Sequence, residues 1–226
     1  MHAAGNFAPF MRIIVIVLFI WIPGVLPAQK LPPRIRPILM LDTYYSSVGN
    51  RGADVFGIKA GIEVDKICRF AAGYNKITTD VVEYKKLPPS EVPYAGQEEV
   101  KAQLYMQYFP VMAEFIVYDK DPWQFSLPEQ IGYGRSYFQY FDTGGDNRKV
   151  FDHGVVIMDL GVAGQYKVLR WFGAGVGLGY RLMLVNNPDI DTDFNTPMVS
   201  LRLKFFFGEI YKSIMQPESA SSSFVQ

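Results

Sequence analysis

Apolar and polar positions alternate along most of this chain. From Trp171 to Leu182 it reads W-F-G-A-G-V-G-L-G-Y-R-L. Phe172, Ala174, Val176, Leu178, Tyr180 and Leu182 share one parity; Trp171, Gly173, Gly175, Gly177, Gly179 and Arg181 share the other. A period of two predicts a strand. One face is continuously apolar, and the other is glycine ending in a charge. A soluble sheet would bury the apolar face and leave the glycines in solvent, where they gain nothing. A barrel wall in lipid accounts for both faces. Its outside must be apolar, and its inside must be small because a narrow lumen has little room. The pattern therefore predicts an all-β fold, a transmembrane antiparallel up-and-down β-barrel.

The alternation recurs. In Ile38–Ser47, Leu39, Leu41, Thr43 and Tyr45 oppose Met40, Asp42, Tyr44 and Ser46. In Val55–Asp65, Phe56, Ile58, Ala60, Ile62 and Val64 oppose Gly57, Lys59, Gly61, Glu63 and Asp65. Arg69–Lys76, Gly154–Tyr166 and Met198–Gly208 behave alike. Two segments are ambiguous. In Lys101–Tyr118 the apolar phase changes at Pro110, which fits either a tight turn between two strands or one bulged strand. In Trp123–Tyr140 the apolar parity also carries Glu129 and Arg135. A phase shift at Pro128, or a strand projecting beyond the bilayer, would explain them. Ile77–Val100, with Pro88, Pro89 and Pro93, reads as a long polar loop.

Single-chain bacterial barrels have even strand numbers, short turns on one side and long loops on the other. A turn at Pro110 gives nine strands and breaks that rule. One bulged strand gives eight. The short turns 66–68, 119–122 and 167–169 then share one side, with both termini, and the loops 48–54, 77–100, 141–153 and 185–197 share the other.

Composition fits. Aromatic residues are 15% of the 226, with 14 Tyr and 17 Phe, enough for aromatic girdles at two interfaces. Lys plus Arg equals Asp plus Glu at 22 each, so nothing points to nucleic acid. The one cysteine, Cys68, permits no internal disulfide and no cysteine metal cage. Arg12, the apolar run Ile13–Ile22 and L-P-A before Gln29 make a secretory signal cut after Ala28, with Met1 or Met11 as the start. The expected organisation is signal 1–28, periplasmic lead-in 29–37, barrel 38–208 and a flexible serine-rich tail 209–226.

The signal ending L-P-A-Q, the strand F-G-I-K-A-G-I-E-V-D with its partner R-F-A-A-G-Y, the strand G-A-G-V-G-L-G-Y-R and the closing V-S-L-R-L-K-F-F-F resemble the small outer-membrane β-barrel proteins of Gram-negative bacteria, often labelled porin-like. The resemblance covers Ile38–Gly208. It implies an outer-membrane location, contact with outer-membrane lipid and lipopolysaccharide, and assembly by the barrel-assembly machinery, for which Phe207 resembles the terminal aromatic signal.

The chemistry left to a catalytic reading is thin. His153 is the only histidine after the signal. Some barrels of this kind modify lipid A, and the lipid A deacylase carries a serine two residues after its histidine; here that position is Val155. Asp189, Asp191 and Asp193 lie near Asn186, Asn187 and Asn195 but lack the glycine and distant glutamate of a calcium loop. They read as a solvated loop, or as a divalent bridge to lipopolysaccharide phosphates. No catalytic set, cofactor site or metal site is expected. Lys59, Glu63, Asp65, Arg69, Glu114, Asp159, Arg181, Arg202 and Lys204 are assigned to the lumen as a charge network filling it, or alternatively as a pore lining. The expected function is a non-enzymatic barrel, structural or binding through its outer loops. The alternatives are a lipid A-modifying enzyme, a small porin-like channel and a secreted ligand carrier. On this facing, Val176→Lys should impair assembly and Asn187→Lys should not.

Overall fold

The computed structural model describes residues 34–48, 51–190 and 195–207. They form nine strands, β1 Ile35–Val48, β2 Arg51–Val64, β3 Cys68–Ile77, β4 Val81–Lys86, β5 Glu99–Lys120, β6 Trp123–Phe141, β7 Asn147–Leu169, β8 Phe172–Val185 and β9 Thr196–Phe206, with a short helix α1, Val92–Ala95, between β4 and β5. All pairings are antiparallel. β1 joins β9, and β3 joins β5, so eight strands close a ring. β4 is the ninth. β5 pairs with β3 between Gln107 and Phe115, and with β4 between Glu99 and Leu104. β4 thus carries on the line of β3 beyond the ring.

The turns at 65–67, 121–122 and 170–171 lie at one end, the turn end; the connections at 78–98 and 142–146, the ends of β1 and β8 at Val48 and Val185, and the starts of β2 and β9 at Arg51 and Thr196 lie at the other, the loop end. Several loops are shorter than the sequence suggests. β1 and β2 run to Val48 and from Arg51, and β6 and β7 reach Phe141 and Asn147. The segment 77–100 is not all loop, because it holds β4 and α1. Pro37, assigned to the lead-in, sits in β1 opposite Ile62. Pairing with β9 starts one residue later, at Ile38, so the missing N–H costs no bond on that side. The expected signal and tail lie outside the described residues.

Pro110 is neither turn nor bulge. It pairs in register with Gly132, and the even residues from Val100 to Glu114 face inward without a break. What changes at Pro110 is the environment on each side of the wall. Above it, Val100, Ala102, Leu104, Met106 and Tyr108 point into an apolar interior, while Lys101, Gln103 and Gln107 face out. Below it Glu114 points in, while Val111 and Val117 point out, each 62% exposed. A wall standing in water must be apolar inside, and a wall standing in lipid must be apolar outside. The apolar parity therefore inverts along one regular strand. The β5 bulge falls later, between Ile116 and Tyr118.

Outward side chains form an apolar band, including Val176, Leu178, Val199 and Leu201, all exposed. Aromatic contacts edge it. At the turn end Trp123 meets Tyr166 at 5.1 Å and Phe172 meets Phe205 at 5.2 Å; toward the loop end Tyr74 meets Phe109 at 5.4 Å. No helix among the described residues is long and apolar enough to cross a membrane.

Candidate functional site

The interior has two tiers. The lower is a polar network built mostly from residues that face each other across strand pairs. Asp42 on β1 opposes Arg202 on β9, Glu63 on β2 opposes Arg69 on β3, Arg69 opposes Glu114 on β5, and Asp159 on β7 opposes Arg181 on β8. All of these are buried. Glu114 is the hub. Lys204 lies 3.1 Å from it, Arg69 3.3 Å and Arg202 3.4 Å, and Ser126 donates to it at 2.5 Å. Arg69 also pairs with Glu63 at 2.7 Å and donates to Gln124. Asp42 takes Lys59 at 2.6 Å and the Tyr44 hydroxyl at 3.1 Å. Asp159 takes Arg181 through two nitrogens, at 2.8 and 2.9 Å, and Gln130 at 2.5 Å; Arg181 also donates to the Tyr108 hydroxyl at 3.0 Å.

The structure thus brings together eight of the nine residues assigned to the lumen. Asp65 is the exception. It sits in the turn after β2 with φ 51° and accepts the Arg34 N–H at 2.8 Å. The chain reverses there, so strand parity no longer fixes its direction. The network's other members, Asp42, Tyr44, Tyr108, Gln124, Ser126 and Gln130, escape a search for charge on the inward face. Only Asp42 is charged, and in sequence it stands between Met40 and Tyr44 on a mixed parity.

The glycine stripe of β8 makes room for this tier. Gly173 pairs with Lys204, Gly175 with Arg202, Gly177 with Ser200 and Gly179 with Met198. A Cβ on Gly173 would meet the Gln165 amide, one on Gly177 would lie 2.5 Å from the Ser200 hydroxyl, and one on Gly179 would lie 2.8 Å from the Met198 methyl. The glycines are small because their neighbours occupy the space, and no phosphate loop is involved.

The upper tier is an apolar cap. Leu104, Met106, Phe138, Tyr140, Val155 and Ile157 pack there with Val81 of β4, Leu87 and Ile190; Val92 and Ala95 of α1 lie against it. Polar contacts tie the cap down. Tyr140 donates to Glu91 at 2.9 Å, Thr143 N–H donates to Tyr94 O at 3.0 Å, and the Arg148 guanidinium lies 3.6 Å from the Tyr94 ring centroid. Asp142 organises the tip of the β6–β7 connection, accepting from Arg148 Nε and from the N–H groups of Gly144 and Asp146, each at 2.9 Å. The Arg148 hydrogen bond, with these backbone donors, holds the Asp142 carboxyl below the usual aspartate range.

Asn187 contradicts its reading as a solvated loop residue. It is fully buried and donates to Ser136 Oγ at 3.0 Å and Phe151 O at 2.8 Å, pinning the segment just after β8 onto the wall. Lys85 then donates to Asp189 O at 2.6 Å, and His153 Nδ1 stands 3.5 Å from Asp189 Oδ2. Ser136 is the ladder partner of His153, but its hydroxyl is fully buried and held by Asn187. No hydrogen bond between this serine and the imidazole occurs among the described residues. Asp191 and Asp193 lie outside them, and no metal-binding cluster occurs among the described residues.

The cavities agree with this plan. A cavity of about 470 Å³ opens at the turn end, lined by Arg36, Glu63, Lys66, Asp119, Lys167 and Arg170 among others. At the level of the network the space between Tyr44, Gln130, Asp159, Met198 and Arg202 is about 20 Å³, room for about one water molecule.

Among solved structures the chain aligns with Neisserial surface protein A, at a TM-score of 0.52 and 13% identity, over 77% of this chain and 99% of that one. This chain has the fold of a small outer-membrane β-barrel. The N-terminal β-barrel domain of Pseudomonas aeruginosa OprF aligns at a TM-score of 0.44 and 12% identity, over 77% of this chain and 100% of that one. A major outer membrane protein from Thermus thermophilus aligns at 0.44 and 10% identity, over 76% of this chain and 99% of that one. No protein-family model and no curated protein matches the barrel in sequence. The likeness is one of fold, and it carries no activity with it.

Proposed function

We propose that this protein is an outer-membrane barrel closed to solutes, without catalytic activity, which works through the surface it presents at the loop end. The observation that carries this reading is the apolar cap roofing a charged, side-chain-filled lumen. A water-filled pore needs neither a roof of Leu104, Met106, Phe138 and Ile190 nor ion pairs bridging the wall beneath it. The projecting ends of β5, β6 and β7, with β4 and α1, hold an exposed outer face instead. On it Tyr105 stacks on Tyr137 at 5.4 Å, Lys149 lies 4.6 Å from the Tyr137 ring centroid, and Tyr84 is 70% exposed. Aromatic faces beside lysines suit a partner with sugar rings and phosphates, the chemistry of lipopolysaccharide at that height. An exported leader and assembly by the outer-membrane machinery belong to the same reading.

The test is purified, refolded protein in a planar bilayer. No stable conductance steps are expected. Steady channels of porin size would move the function to transport. The enzymatic alternative is tested separately: lipid A analysed by mass spectrometry should be identical in cells carrying the natural protein and His153→Ala, because the Ser136 hydroxyl is engaged elsewhere.

A further inference from the structure

Phe151 is a strained residue inside a strand. Its φ is 55°, in the left-handed region, where a bulky side chain is an outlier. The other non-glycine residues in that region among those described, Asp65 and Lys66, belong to a turn. Phe151 sits where the β6–β7 ladder slips. Ser136 pairs with His153 and Phe138 pairs with Val150, so Tyr137 alone faces both Phe151 and Asp152. In a bulge of this kind glycine normally takes the left-handed position. β7 pairs with β8 only from Val156 downward, so the ring does not hold the bulge in place.

The slip decides which side chains face outward above it. Side chains alternate along a strand, so one extra residue inverts the parity of everything beyond it. Val155 and Val150 stand an odd number of residues apart, yet both point into the apolar cap. Lys149 stays outside, with Nζ 4.6 Å from the Tyr137 ring centroid. An unbroken ladder would set Val150 opposite Gln139 on the outer face and turn Lys149 toward the cap. One side chain grips both sides of the slip. The buried Asn187 amide donates to Phe151 O at 2.8 Å and to Ser136 Oγ at 3.0 Å, and its Oδ1 accepts the Asp189 N–H at 3.0 Å. The bond to Phe151 O fixes the peptide that follows the strained residue, and Ser136 is the last β6 residue paired before the slip.

We propose that Asn187 is a positioning residue for the loop-end face: by holding the strained bulge at Phe151 it sets the register of β7 above it and keeps Lys149 beside Tyr137. The proposal rests on the reading of that face as the working surface. The bonds that offset the strain exist only while the segment just after β8 is docked. Docking of that segment and display of Lys149 are therefore coupled.

The experiment uses the full chain refolded into phosphatidylcholine–phosphatidylglycerol vesicles, with Cys68→Ala as background. Gln139 and Lys149 are ladder partners, so Gln139→Cys with Lys149→Cys should close a disulfide under mild oxidation. Adding Asn187→Ala should slow closure about tenfold, the worth of one residue's left-handed strain. Adding Phe151→Gly as well should restore the rate, because glycine holds that conformation unaided. Protease cleavage just after β8 should stay fast in this last variant, which shows that the segment has not redocked. A boiled-versus-unboiled gel confirms that each barrel folds. With Gln139 and Lys149 left intact, binding of purified lipopolysaccharide should follow the same order, lowered by Asn187→Ala and recovered with Phe151→Gly. The proposal is overturned if Asn187→Ala leaves closure unchanged, or if Phe151→Gly fails to restore it. Closure as expected, with no lipopolysaccharide bound even by the natural chain, supports the positioning role and overturns the reading of the face.

Discussion

Glu114 shows how much one buried side chain carries. Five cations in the network, Lys59, Arg69, Arg181, Arg202 and Lys204, face four carboxylates, Asp42, Glu63, Glu114 and Asp159. Three of the cations converge on Glu114. Glu114→Gln leaves them without their shared counter-charge, and breaking a buried pair of this kind costs about 3–5 kcal/mol. Lys204→Met removes a charge already in excess and should cost clearly less. Urea unfolding in lipid vesicles ranks the two; equal losses would mean that Glu114 is not the hub. Asp142 is a different case, half-buried at the loop end, with its carboxyl held below the ordinary range by Arg148 and backbone donors. Its contribution is full above the unfolded value near 4 and fades as pH falls through the folded value. Protection of the Gly144 and Asp146 amides against hydrogen exchange, taken relative to their intrinsic rates at each pH, should therefore be flat down to about pH 4 and fall below it. At this scale the sequence was legible wherever a long charged residue fell on an unbroken strand parity. It was not legible at Asp65, where a turn interrupts the parity, nor at Asn187, because a buried loop asparagine and a solvated one look alike until its partners Ser136 and Phe151 are in place.

At the scale of the element, the lesson lies in β5. The sequence shows Leu104, Met106 and Tyr108 on one parity and Val111, Phe115 and Val117 on the other, which resembles a break. The strand is continuous, and what alternates is the solvent outside it. A reading that assumes one environment per strand must invent a turn or a bulge at Pro110. β8 escapes this because most of its length lies in the apolar band and keeps one rule. Val176 is 61% exposed on that band. Val176→Lys should cost about 2–4 kcal/mol at mid-depth and lower the yield of heat-modifiable barrel. Asn187→Lys should leave that yield intact, since the wall does not depend on it, but the displaced side chain frees the β8–β9 connection. Limited proteolysis from the outside should then cut between Asn186 and Asn195 faster than in the natural protein. Unchanged cleavage would show that the hydrogen bonds to Ser136 and Phe151 do not hold the connection down.

On the proposed reading the described barrel is two seals in series. The apolar cap offers water no partners among Leu104, Met106, Phe138 and Ile190, and the charged tier packs its ion pairs around a space of about 20 Å³, enough for about one water on polar atoms such as Gln130 Oε1 and Arg202 Nε. Each fails in a different way, so neither substitutes for the other. Replacing 87–98 by a short linker removes α1 and exposes the cap to solvent, yet Arg181 still bridges to Asp159 and Tyr108 below it. Arg181→Ala opens a gap in the lower tier, yet the cap still covers it. Each change alone should leave a planar bilayer silent. Together they should give small, flickering currents that rise with ionic strength, since a path among the described residues then opens from the turn-end cavity past the vacated guanidinium site to the loop end. Currents from the linker variant alone would mean that the charged tier leaks and that the cap is the working gate.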